Sequence, residues 1–330
     1  MTNETTQPIR WGIIGCGDVT EVKSGPAFRK IAGSELVMVM RRNGDLATDY
    51  ARRHSVPRWT DDADALIHDP GVDAVYIATP PDSHADYTLR VAAAGKPVYV
   101  EKPMARSYAE CLRMIDACEA AGVPLFVAYY RRSMPSFVKV KELVDSGAVG
   151  DVRFVSIQLF QPIRPAERNA DTRPWRVIPE IAGGGHFFDL ASHQLDFLDY
   201  LFGPITAAQG QSANQAGFYP AEDMVSANFR FANGVMGSGV WCFTVAPAQK
   251  KDTIEIVGSE GKITFAAFNP DPVRLEREDG VQEWPIPYPD HVQQPLIQTI
   301  VDALHGRGRC PSTGVSAART SRVMDEIVGK

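Results

Sequence analysis

The sequence predicts an α/β chain in two domains: a doubly wound, mainly parallel sheet, then an α+β domain with a large open, mainly antiparallel or mixed sheet. Three observations carry this prediction. Up to about residue 128, short apolar runs alternate with helical patterns over short connections, the rhythm of βαβ units. A glycine pair, Gly15 and Gly17, follows the first apolar run. Beyond residue 130 the pattern changes to longer strands joined by turn residues such as Asn233-Gly234. Residues 1–126 are therefore expected to form the first domain and 127–330 the second, and a return of the terminal helix onto the first domain is left open.

The expected elements follow in order. Residues 10–14 form the first strand, and the glycine turn leads into a segment able to carry a helix as far as Arg29. A strand over 35–40, a helix over 47–54 and a short helix over 61–68 come next. The strand at 72–78 is stopped by Thr79-Pro80-Pro81, and the helix over 83–94 by Gly95. Residues 97–100 form a strand that ends at Glu101-Lys102-Pro103. Ser107 and Glu110 have capping-box spacing for a helix running to Ala121, with Gly122 as its stop, and 123–128 is again a strand. In the second domain a helix over 136–146 precedes strands at 152–160, 225–231, 235–243, 253–257 and 262–267. Helices at 296–305 and 316–328 close the chain.

Composition limits the function classes. The 330 residues are 44% hydrophobic, enough for two cores, and a formal charge of -6 with scattered basic residues offers no footprint for nucleic acid. Five cysteines, Cys16, Cys111, Cys118, Cys242 and Cys310, are far apart and lack zinc or disulfide spacing, so a reduced protein without a metal site is expected. Residues 1–9 are polar and no apolar run reaches membrane-spanning length, so a cytoplasmic protein without membrane partners is expected.

Gly15-x-Gly17-x-x-Thr20 carries two glycines of the dinucleotide fingerprint, with Asp18 and Val19 in the turn and Thr at the third small-residue position. This makes the first domain Rossmann-like; a bare tight turn is the other reading of the fragment. The second strand ends in Arg41-Arg42 where NAD-binding chains place an acidic residue for the ribose hydroxyls. A guanidinium can pair bidentately with a 2′-phosphate, so NADP is favoured, NAD stays possible, and a solvated strand end is the plain alternative. Thr79 and Pro80 lie where an open α/β sheet presents its ligand crevice, and His84 either faces that crevice or simply begins the next helix, as Asp82 does. Farther along, a glycine run read as flexible, Gly183-Gly184-Gly185, leads into Asp189 and His193. Four residues apart on a helix, the two side chains share a face, and a carboxylate can then orient an imidazole for proton transfer. An ordinary helix-surface pair is the competing reading.

Glu101-Lys102-Pro103, the glycine run with Asp189 and His193, and the glycine-rich start together resemble the glucose-fructose oxidoreductase, inositol dehydrogenase and MocA family over residues 8–330. The resemblance implies an NAD(P)-dependent enzyme acting on a sugar, polyol or cyclic diol. By that resemblance Lys102 stabilises the reacting oxygen and helps position the nicotinamide, His193 exchanges the hydroxyl proton, and Asp189 holds the substrate or the imidazole. Glu101 and Pro103 shape the turn that presents Lys102, with Pro103 cis, and Glu101 counts with Lys102 among the residues around the cofactor. Tyr130, Arg131, Trp175 and Arg176 are implied substrate contacts, and His186 is a further one for which the family offers no role. The resemblance also implies a homodimer, tetramer open, through the second-domain sheet, burying the alternating apolar residues of the strands from 225 to 267. A dinucleotide-binding sensor without turnover is the alternative from another functional class.

Overall fold

The computed structural model describes residues 7–330, which form two compact units. The first comprises residues up to Ala105 together with Ala109–Met134 and Pro289–Ala317; the second comprises Arg106–Tyr108, Pro135–Tyr288 and Ala318–Lys330. Both units are therefore discontinuous in sequence.

In the first unit, β1 (Ile9–Ile14) leads to two short helices, α1 (Asp18–Val22) and α2 (Ala27–Lys30). The single helix expected through Arg29 does not form. Pro26 has no N–H to continue a helical ladder, and Gly25 passes so close to Tyr50 that a Cβ there would lie 2.2 Å from the phenol oxygen. The chain continues through β2 (Ser34–Met40), α3 (Gly44–Arg53), β3 (Arg58–Thr60), α4 (Ala63–Ile67) and β4 (Ala74–Ile77). It then passes through α5 (His84–Ala93), β5 (Val98–Val100), α6 (Tyr108–Ala120) and β6 (Leu125–Val127). Asn43 and Asp62 cap α3 and α4, accepting from the amides of Leu46 and Asp64. The six strands are parallel in the order β3-β2-β1-β4-β5-β6, so the strand order reverses between β1 and β4, where a doubly wound sheet opens its ligand crevice. β4, β5 and β6 are buried at every residue, the signature of strands covered on both faces.

The second unit takes α7 (Pro135–Asp145), β7 (Val152–Phe160), α8 (Pro179–Ala182) and α9 (Ser192–Phe202). Seven further strands follow: β8 (Ile205–Ala213), β9 (Met224–Phe231), β10 (Met236–Cys242), β11 (Lys251–Gly258), β12 (Gly261–Phe265), β13 (Val273–Arg277) and β14 (Gly280–Trp284). They form one mixed sheet in the order β14-β13-β12-β11-β7-β10-β9-β8, antiparallel except between β7 and β10. Helices α10 (Gln294–Leu304) and α11 (Gly314–Val328) complete the chain; α10 lies in the first unit, and α11 from Ala318 onward in the second.

One face of the large sheet is apolar and buried, carrying Val155, Ile157, Leu159, Val225, Ala227, Phe229, Trp241, Ile254 and Ile256. This face is covered within the unit. Trp241 packs edge-on against Phe187 at 5.1 Å and donates its indole N–H to Gln194 of α9 at 2.7 Å, while Phe197 of α9 meets Phe265. The alternating apolar residues assigned to a dimer contact therefore serve the unit's own core. The opposite face presents Ser226, Asn228, Arg230 and Ser238, with Phe154 and Met236 exposed among them.

Candidate active site

The turn after β1 is shaped by two glycines with different reasons. Gly15 has φ +91°, and a Cβ there would lie 2.7 Å from Thr79 Cγ2, so the fold itself requires glycine. Gly17 has φ -128°, and the nearest atom to a Cβ there is Gly15 O at 3.9 Å. No described residue demands glycine at 17, so the turn leaves open space on that side. Thr20, fully buried, fills the third position of the fingerprint: its hydroxyl donates to Gly17 O at 2.8 Å, and its own carbonyl accepts from Tyr50 at 2.9 Å. The helix start after Gly17 has no side-chain cap, and Asp18 is exposed beside it. These features fit a dinucleotide pyrophosphate, with Val19 half-buried in the same turn. Cys16, between the glycines, is held protonated, burial pushing its thiol up to about 11. Arg41, half-buried at the end of β2, donates to Cys16 O at 3.3 Å, whereas Arg42 is exposed. The guanidinium at 41 thus sits against the glycine turn, where an adenosine ribose is recognised in such sheets.

Beyond β4, Thr79 and Pro80 are half-buried, and Ser83 ties the turn by donating to the Thr79 hydroxyl at 2.8 Å. His84 does not present a ring nitrogen to a ligand, as the cofactor reading required. It is fully buried, with Nε2 2.7 Å from Thr79 O and Nδ1 3.1 and 3.2 Å from the carbonyls of Pro103 and Met104. Burial lowers its pKa, so the ring is held neutral, and its single N–H donates on one side only, either to the turn after β4 or to the turn after β5.

Lys102 follows β5, half-buried, and its peptide bond to Pro103 is cis. Glu101 is enclosed beneath it. One carboxylate oxygen accepts from the Tyr76 hydroxyl at 2.5 Å and from Gln293 at 2.6 Å, and the other from the Lys102 amide at 3.1 Å. Gln293 also accepts from Tyr99 at 2.7 Å, and the two tyrosine rings stack at 4.6 Å. With both oxygens bonded internally, Glu101 braces the turn that carries Lys102. Gln293, a member of this network, carries no sequence signal of its own. Tyr130 and Arg131 are buried in a 3-10 turn of the first unit, the guanidinium stacked 5.0 Å over the phenol ring, while Arg132 donates to Pro311 O.

In the second unit the glycine run is tightly packed rather than flexible. Gly183 has φ +82° where it ends α8, and a Cβ on Gly184 or Gly185 would overlap the Phe188 ring or Ala221. Glu222, another residue without a sequence signal, accepts from the Gly185 amide at 2.7 Å, and burial raises its pKa. The run enters a π-helical turn, Phe187–Ala191, ahead of α9. The segment is thus not the uniform α-helix assumed for the four-residue spacing; wide turns of this kind recur at functional sites. Asp189 lies in the π turn and His193 in the first turn of α9, 2% exposed. Arg176 Nε lies 3.4 Å from an Asp189 oxygen, and the same guanidinium stacks 4.5 Å over Trp175. Arginine, aromatic ring and carboxylate form one cluster, a donor and apolar wall suited to a hydroxylated ring. His186 is buried and bonds Glu167 at 2.9 Å, a partner the sequence reading missed. Among the described residues, no group of three His, Cys, Asp or Glu is arranged to hold a metal, and no helix is long and apolar enough to cross a membrane.

A glycine-turn first unit with reversed strand order, joined to a second unit built on a broad mixed sheet, defines a class of dinucleotide-binding oxidoreductases. The chain belongs to the Gfo/Idh/MocA oxidoreductase family. Residues 9–129 match the oxidoreductase family with an NAD-binding Rossmann fold, and residues 137–264 match the GFO/IDH/MocA C-terminal domain. The chain is 41% identical to Oxidoreductase P35 of Formosa agariphila, over 97% of this chain and 98% of that one. It is 26% identical to 1,5-anhydro-D-fructose reductase of Ensifer adhaerens, over 92% and 91% of the two chains. A solved levoglucosan dehydrogenase in complex with NADH and levoglucosan superposes with a TM-score of 0.87 at 26% identity, covering 97% of this chain and 96% of that one. The protein is thus an NAD(P)-dependent oxidoreductase.

Proposed function

We propose that the protein is an NADP-preferring oxidoreductase that moves a hydride between nicotinamide C4 and the hydroxyl or carbonyl carbon of a sugar, polyol or cyclic diol. The observation that carries this reading is the Asp189 carboxylate paired with Arg176 at 3.4 Å on the segment that continues into His193. The relatives named for 1,5-anhydro-D-fructose and levoglucosan support the substrate class. The dinucleotide supplies the hydride acceptor or donor.

The chain's own groups then have distinct tasks. In the oxidative direction His193 takes the hydroxyl proton as the hydride leaves carbon; in the reductive direction it returns that proton to the forming alkoxide. Lys102, a cation on a braced turn, lowers the energy of negative charge on the reacting oxygen. Asp189 accepts hydrogen bonds from substrate hydroxyls, its orientation held by Arg176, while Trp175 offers an apolar ring face. Gly15, Gly17 and the turn through Val19 receive the pyrophosphate. Arg41, with Arg42 beside it, receives a 2′-phosphate. The NADP preference rests on these two arginines and not on the solved relative, which is described with NADH.

We propose further that the protein works in the cytoplasm as a homodimer through the outer face of the large sheet, where Phe154 and Met236 are exposed. Light scattering should return twice the chain mass, and a monomer would remove that part. The enzymatic reading is tested by absorbance at 340 nm with NADP(H) and NAD(H) against aldoses, inositols, levoglucosan, 1,5-anhydro-D-fructose and cyclic diols. Saturable turnover supports it; tight cofactor binding with no turnover on any of them overturns it in favour of a sensor.

A further inference from the structure

His186 and Glu167 form a hydrogen-bonded pair almost without solvent access, at 2.9 Å between His186 Nε2 and Glu167 Oε1 with side-chain exposures of 3% and 1%. Enclosing a carboxylate is costly unless its hydrogen bonds are met. Here they are met: the second oxygen accepts from the Arg164 amide at 3.0 Å, closing the 3-10 turn Pro165–Glu167. Burial pushes the Glu167 pKa up, but the bonds from His186 and the Arg164 amide outweigh it and leave the group below the usual carboxylate range, ionised near neutrality. An ionised acceptor at Nε2 places a proton on that nitrogen, on the opposite side of the ring from Nδ1. That Nδ1 and the Tyr219 hydroxyl are both enclosed with no hydrogen-bond partner among the described residues, and the two rings meet edge to face at 6.1 Å. An apolar pair would fill this volume without such a penalty, so retention of a polar one points to geometric specification rather than stability.

The pair specifies the path of one segment. Residues 163–177 run over the second unit as a strap. Arg168 stacks on Phe218 at 4.5 Å, Arg173 donates to Phe218 O at 2.9 Å, and Val177 packs with Tyr219, Ala221, Ile163 and Phe218. Glu167 adds a fastening at His186, three residues before Asp189. The strap's far end carries Trp175 and Arg176, the guanidinium paired with Asp189.

We propose that Glu167 and His186 are positioning residues, a latch that sets the strap against the π turn and thereby holds Arg176 on Asp189 for binding a polyhydroxylated substrate. The substrate part rests on the function proposed above; the latch itself does not.

The test uses the full chain and has two arms. In the first, hydrogen exchange is followed in peptides spanning 163–178. Glu167→Ala should exchange faster there while the strands of the large sheet keep their protection. His186→Gln, which keeps an amide donor near the Nε2 position, should remain close to wild type. Unchanged strap exchange in Glu167→Ala overturns the latch, and so does faster exchange across the whole sheet, which would assign the pair a general folding role. In the second arm, with levoglucosan or 1,5-anhydro-D-fructose as probe, Glu167→Ala should raise KM roughly tenfold and change kcat by less than about twofold. In an Arg176→Ala background the same substitution should add less than about twofold, because the latch acts through Arg176. Additive effects overturn the proposal. If the wild type turns over neither probe, the proposed function fails in that respect while the exchange arm still decides the latch.

Discussion

Replacing each glycine of the first turn by alanine separates the demands of the fold from those of the ligand. At Gly15 the backbone is left-handed, and a Cβ would lie 2.7 Å from Thr79 Cγ2 and 3.0 Å from the Thr79 amide nitrogen. Left-handed strain of about 1–2 kcal/mol and an overpacking cost of about 1–3 kcal/mol add to roughly 2–5 kcal/mol. For a unit of this size that lowers the melting temperature by about 4–20 °C. At Gly17 the backbone is already in an ordinary region and the nearest protein atom would be 3.9 Å away. Gly17→Ala should therefore change stability by less than about 1 kcal/mol, chiefly by restricting the unfolded chain. If this turn receives the pyrophosphate as proposed, the added methyl should weaken NADPH and NADH binding by roughly tenfold or more, the ratio that a loss of about 1.4 kcal/mol represents. Thermal melts and fluorescence titration of the reduced dinucleotide read the two effects separately. Wild-type dinucleotide affinity in Gly17→Ala would refute the assignment of this turn to the cofactor.

Three further outcomes follow from the same geometry. Replacing Arg41 and Arg42 together by serine should weaken NADP by about tenfold or more while leaving NAD within about twofold, as titrations with both would show; equal losses would remove the 2′-phosphate role. His84→Leu should destabilise the protein by about 1–3 kcal/mol through a buried carbonyl left without its donor, and should reduce turnover by loosening the packing beside the turn that carries Lys102. Unchanged melting and turnover would show that the ring is dispensable. Glu21, bonded by Arg53 and then by His54, is lowered from 4.5 to about 2. A depressed carboxyl contributes stability above its unfolded pKa and loses it as pH falls through the folded value. Glu21→Gln should therefore lower the melting temperature at pH 7, with the difference from wild type vanishing between about pH 4.5 and 2; a constant difference across that range would contradict the pairing.

The legible parts of this chain are those whose signals are local. The first parallel strands read as apolar runs because they are covered on both faces, and the glycine turn stands in a short motif directly after β1. β3 escapes because three residues, Arg58-Trp59-Thr60, hold no pattern. β8 escapes for the opposite reason: after Ile205 it has almost no buried residues, so alternation never appears. The charged pairs of β13 and β14, such as Arg274 with Glu283, disguise an edge hairpin as a loop. Site details fail where a partner is remote. His84 looks like a crevice residue until the carbonyls of Pro103 and Met104 claim its ring, and Glu101 is braced by Gln293, 192 positions away. Glu167 lies only 19 residues from His186, yet nothing in Pro165-Ala166-Glu167 announces a buried acceptor. Covering of the sheet's apolar face by α9 is likewise a tertiary fact, since the same alternation serves a dimer face or an internal core equally well.

The most direct test of the hydride-transfer account compares wild type, Lys102→Ala and His193→Ala for reduced-dinucleotide binding by fluorescence and for turnover at 340 nm on the same substrate. The account predicts that both variants bind the dinucleotide within about threefold of wild type while kcat falls by about a hundredfold or more, the usual scale for losing a proton-transfer or oxyanion-stabilising group. Folded variants that keep wild-type turnover would contradict it.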